Sequence, residues 1–119
     1  MTNPEHAMQI WQILISYAHT QQPLTYGKVS DYLGYKGARV LSQPLDLIMR
    51  YCAKQGFPPL TCLVANKETR EPGAGLTTVE DLSLDREAVH SKNWFALKPV
   101  QISDFEKIQE EKRHLLKSS

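Results

Sequence analysis

The sequence predicts an α+β fold with a winged-helix core, three helices followed by a β-hairpin wing, and a C-terminal helical extension. Three observations carry that expectation. Apolar residues recur at helical spacing in three blocks before Gly56, each with its own start and stop signals. Beyond Gly56 the pattern changes to "PPLTCLVANK", a Gly/Pro turn and "LTTVE". At 119 residues the chain has the length of a single domain. Within it, 1–80 form the winged-helix core and 81–119 the extension packed on it.

The first helix opens at Asn3 as the cap, with Pro4 at the first helical position and Glu5 at the positive end of the helix dipole. Met8, Trp11, Ile15 and Ala18 form its stripe, flanked by Ile10, Leu14 and Tyr17. Pro23 ends it, because the residue before a proline avoids helical geometry. Thr25 caps a short second helix with Val29, Tyr32 and Leu33 inward, and Gly34 closes it. A third helix opens near Ala38. Leu41, Leu45, Ile48 and Cys52 continue one face through Pro44, where a kink or a new start is required because proline has no N–H. Gly56 stops it.

The run from Leu60 to Asn66 then reads as a strand, the stretch containing Pro72, Gly73 and Gly75 as the turn, and "LTTVE" as the partner strand. A short helix is expected near Asp85–Ser91. A Ser103-x-x-Glu106 capping box starts the last helix, which buries Phe105, Ile108 and Leu115.

Composition narrows the function classes. Formal net charge is +1, so no global basic field advertises a polyanion partner. The positive bias is local: residues 26–54 hold five Lys or Arg against two Asp. No stretch is apolar for long enough to span a membrane. The start "MTNPEH" lacks a basic, apolar leader, and Cys52 and Cys62 form no CxxC pair, so the expectation is a reduced cytoplasmic protein without a metal site or cofactor.

Side chains suited to nucleic acid gather where the positive bias lies. Tyr26 and Tyr35 offer stacking or phosphate contacts, Lys28, Lys36 and Arg50 offer phosphate contacts, and Arg39 sits at a helix start. Glu87 and His90 have helical metal-pair spacing but no third ligand nearby, and Glu110 with His114 reads as an i,i+4 pair that supports its helix. Trp11, Trp94 and Cys52 read as core.

"TYGKVSDYLGYKGARVLSQPL" resembles the DNA-binding segment of O6-alkylguanine-DNA alkyltransferases and alkyltransferase-like proteins. Tyr26 stands where that family opens a helix with Tyr, Arg39-Val40-Leu41-Ser42 where it has its Arg motif, and Leu45 matches a later Leu. "LVANKETREPGAGL" is similar to its strand, turn and Gly-rich close. The resemblance implies that Arg39 fills the gap left by a flipped base in the minor groove and that Tyr26 pushes on the backbone there. It covers Leu24 to Leu76. The chain lacks the family's Pro-Cys-His-Arg signature, and Leu63 follows Cys62 where a His would activate the thiol. The implied function is therefore non-catalytic binding of double-stranded DNA by Tyr26, Lys28, Tyr35, Lys36, Arg39, Ser42, Arg50 and Lys67, the last on the wing. The rival expectation is an immunity or antitoxin-type protein that neutralises a protein partner such as a toxin nuclease. Residues 68–87, with six carboxylates against two arginines, would face that partner's basic surface.

Overall fold

Among the described residues, the computed structural model has five α-helices, three 3-10 turns and a two-stranded parallel sheet. The structure describes residues 2–35, 38–66, 68–69 and 82–118, with the side chains of 38, 39, 117 and 118 outside that description.

Helix α1 spans Asn3–Thr20 and is the central element, packed on both α3 and α5. Its cap is Thr2, one residue before the expected Asn3. The Thr2 Oγ1 accepts from the Glu5 N–H at 3.3 Å, and Glu5 Oε1 accepts from the Thr2 N–H at 3.0 Å. Pro4 still lies in the first turn, where its missing N–H costs nothing.

Strand β1, Leu24–Thr25, leads into α2, Tyr26–Leu33. Thr25 is the cap as expected, accepting from the Lys28 N–H at 3.2 Å. Gly34 closes α2 at φ 71°, a left-handed conformation that favours glycine. A 3-10 turn follows at Ala38–Leu41, then α3 at Ser42–Gln55. Pro44 therefore marks a new start rather than a kink, since the first helical N–H groups need no partner. Gly56 ends α3 at φ 73°.

The winged-helix expectation is overturned here. Helical residues make up 76% of the described chain, and the sheet is a parallel pair rather than a hairpin. "LTCL" at 60–63 is a buried 3-10 turn, started by the Cys62 N–H donating to the Pro59 carbonyl at 2.9 Å. Only Val64–Ala65 is extended, as β2, and it pairs with β1 in the register Leu24 with Val64 and Thr25 with Ala65. A short apolar run buried on all sides has no alternation to distinguish strand from turn. The expected turn around Gly73 and the expected partner strand "LTTVE" lie outside the described residues.

Helix α4 spans Leu82–Ser91, a 3-10 turn spans Trp94–Ala96, and α5 spans Ile102–Ser118. The expected Ser103–Glu106 box is not the cap of α5. The Asp104 carboxylate instead accepts from the Gln101 N–H at 2.8 Å, which moves the helix start upstream. Phe105 and Ile108 are buried as expected, but Leu115 is 64% exposed, because α5 runs past the end of the core.

The core joins the faces of α1, α3 and α5 with Leu24, Val29, Leu60, Val64 and Val89. Trp11 is its aromatic hub, with ring centroids 5.6 Å from Tyr51, 5.7 Å from Trp94 and 6.1 Å from Phe105. The Trp94 indole N–H donates to the Val89 carbonyl at 2.8 Å, so its polar atom is satisfied inside the core.

Candidate nucleic-acid interface

The segment that concentrates the expected contacts folds as α2, the Ala38–Leu41 turn and the start of α3, with the turn packed on both helices. Tyr26 is half-buried and packs on the core from the first position of α2. Lys28 is exposed in the first turn of α2. Its ammonium lies 5.5 Å from the Tyr17 ring centroid, and hydrogen bonding to Tyr17 raises its pKa further above the ordinary lysine value. Ser42 is exposed as the first residue of α3.

Tyr35 follows α2 and is held rather than free. Its hydroxyl bonds His6 Nδ1 and donates to Gln9 Oε1 at 3.4 Å, and burial pushes its phenol up. The chain at Tyr35 is thus tied to α1. Lys36, Lys67 and the Arg39 side chain lie outside the described residues. The backbone of Arg39 belongs to the 3-10 turn, just before α3.

Arg50 is paired along α3. Its Nε donates to Asp46 Oδ2 at 2.9 Å, one turn back along α3. The same carboxylate oxygen accepts from Lys112 of α5 at 2.8 Å, and Lys112 also donates to Gln43 at 2.9 Å. Burial acts to raise the Asp46 carboxyl, but the bonds from Lys112 and Arg50 outweigh it and hold the pKa below the usual carboxylate value. Lys54 pairs with Glu111 of α5. The outer face of α3 is therefore charge-balanced by its own Asp46 and by α5, whereas Lys28 stands exposed at the start of α2. Sequence spacing offers Asp46 and Arg50 as an i,i+4 pair, but nothing local to α3 points to Lys112 or Glu111.

Strand pairing adds a neighbour that spacing could not supply. Ala65 lies opposite Thr25, which brings the end of β2 beside the start of α2.

Tyr32, expected inward, is 56% exposed instead. Its hydroxyl shares a 2.6 Å hydrogen bond with Tyr17, whose ring is buried. That polar tip keeps Tyr32 at the surface while Val29 fills the inner face of α2.

The remaining chemical candidates are quiet. Cys62 sits in the buried turn at 60–63, not on a strand, and burial pushes its thiol up to about 12. Cys52 is pushed up to about 11 by the same cause. Thiolate is scarce at neutral pH in both cases. His90 donates from Nδ1 to the Ala18 carbonyl at 3.0 Å, which docks α4 on α1. No cluster of three metal-ligating side chains occurs among the described residues. His114 lies 3.4 Å from Glu110, as its helical spacing requires. No described helix is long and apolar enough to cross a membrane.

A scan of protein-family models and searches of curated proteins and of solved structures return no match to this chain.

Proposed function

We propose that the chain binds double-stranded DNA without acting on it chemically, through the edge formed by the starts of α2 and α3. The observation that carries this reading is the parallel pairing of Leu24–Thr25 with Val64–Ala65. It brings the end of β2 beside the start of α2, where Tyr26 and Lys28 stand, and the Ala38–Leu41 turn packs on α2 as well as on α3. Lys28 supplies a phosphate contact and Ser42 a short polar contact at the helix start. Arg39 takes the role that the family resemblance assigns to it, a cation inserted where a base leaves the stack. Tyr35 acts indirectly, by anchoring the segment that carries Lys36 and Arg39 to α1 through His6 and Gln9. Arg50 is left out of the contact set because Asp46 holds it.

The reading is tested by titrating labelled duplex DNA into wild-type protein, Arg39→Ala and Arg50→Ala at fixed salt. Arg39→Ala is expected to lose at least fivefold in affinity and Arg50→Ala less than twofold. Equal behaviour of wild type and Arg39→Ala sinks the proposal.

One observation favours a second reading. Arg50 and Lys54 on α3 already have carboxylate partners, and Leu115 and Leu116 stand 64% and 68% exposed beyond them on α5. An exposed apolar tail next to a neutralised face suits a protein partner, as in an immunity or antitoxin-type protein. A co-purifying polypeptide, with no shift of duplex DNA in a gel, is the result that would replace the first reading with this one.

A further inference from the structure

Between α1 and α2 lies an open groove of about 530 Å3, within the range of sites that hold small organic groups. Ile13, Tyr17, Tyr32 and Leu33 form its apolar wall, and Gln9 and Gln12 bring side-chain amides to its α1 side. Tyr32 is the exposed aromatic of the groove, and its position is fixed by the 2.6 Å bond to Tyr17. The Lys28 ammonium lies one helical turn from Tyr32, against the Tyr17 ring. A fixed exposed ring, a neighbouring cation and amide groups match the three parts of a nucleotide: base face, phosphate and base edge. A protein helix would not need the cation at that point, and a lipid surface would not need the amides. Lys28 does not line the groove, but its ammonium lies 5.5 Å from the ring centroid of Tyr17, which does, so the proposed duplex edge adjoins the groove.

We infer that this groove takes an unpaired nucleotide, so that the preferred ligand is a duplex carrying a single-stranded extension, with a base stacked on Tyr32 next to the phosphate that Lys28 holds at the end of the paired region. This rests on the duplex reading above but adds a separate contact. Tyr32 plays no part in holding the paired region, so the two contacts are separable by substitution.

The test compares a paired duplex with the same duplex carrying a short oligo-dT tail, for wild type, Tyr32→Leu and Tyr32→Phe, together with free oligo-dT. One stacked base predicts roughly tenfold tighter binding of the tailed duplex by wild type. Tyr32→Phe keeps the ring but loses the bond to Tyr17 that fixes it, and is expected to retain part of that gain. Tyr32→Leu is expected to lose it while binding the paired duplex as wild type does. A tail that adds less than twofold, or a gain that survives Tyr32→Leu, overturns the inference even where the paired duplex is bound. Binding of oligo-dT that depends on Tyr32, with no affinity for paired duplex, overturns the duplex reading and leaves the groove standing. Circular dichroism of each variant shows whether α1 and α2 remain folded, and Tyr32→Phe supplies the ring-dependence result independently of the more drastic change.

Discussion

Replacing Asp46 with Asn removes one charge from the centre of the α3–α5 junction while keeping the shape of the side chain. Asp46 Oδ2 accepts from Arg50 at 2.9 Å and from Lys112 at 2.8 Å. The side chains are 28% exposed at Asp46, 40% at Arg50 and 20% at Lys112, so solvent screens the Arg50 pair more than the Lys112 pair. A well-exposed pair contributes at most about 1 kcal/mol and a charge-assisted bond with less solvent about 1.5–3 kcal/mol. Part of that is offset, since an amide still accepts one hydrogen bond. The expected loss at pH 7 is about 1–2 kcal/mol.

The pH dependence has a definite sign. The folded state depresses the Asp46 pKa, so the unfolded chain takes up the proton first as pH falls. The stabilisation is complete above the unfolded value, near about 3.9. It fades as pH drops through the lower folded value, below which both states carry the proton. Urea unfolding of wild type and Asp46→Asn should therefore differ in midpoint at pH 7 and converge as pH falls through the depressed folded-state value. Equal midpoints at pH 7, or a gap that persists undiminished into strong acid, would refute the bridging role of Asp46.

Other consequences are simpler to check. Phe105→Ala opens a cavity under the Trp11 and Tyr51 rings and should cost about 3–5 kcal/mol in denaturant unfolding. Gly34→Ala forces a side chain into φ 71° and should cost about 1 kcal/mol in the same assay, a purely backbone effect because the added methyl meets open space. In a thiol-reagent assay at pH 7, Cys52 and Cys62 should stay silent in native protein and react once urea exposes them, because burial raises both thiols.

The helices are legible in the sequence because their signals are local. Thr25, Gly34 and Gly56 each fix a helix end through their own backbone or side chain, and the structure keeps all three. The sheet is not legible, because Leu24–Thr25 and Val64–Ala65 are two residues each and their partnership depends on how α1 and α3 pack. The β-rich composition of "LTCLVA" reflects complete burial, which a 3-10 turn satisfies as well as a strand does. The same division runs through the candidate interface. Tyr26 and Lys28 follow from the position of the Thr25 cap, whereas the removal of Arg50 depends on an Asp46 carboxylate also held by Lys112, 66 residues further along the chain. Helical spacing alone puts Tyr32 on the inner face, and only its bond to Tyr17 explains why it stays outside.

The salt dependence of duplex binding tests the account most directly. For wild-type protein the logarithm of the association constant should fall linearly with the logarithm of salt concentration, as cations displaced from phosphates return to solution. Lys28→Ala should bind more weakly and reduce that slope by about one unit. A duplex affinity indifferent to salt, or a slope untouched by the loss of Lys28, would contradict the proposal that the starts of α2 and α3 hold DNA.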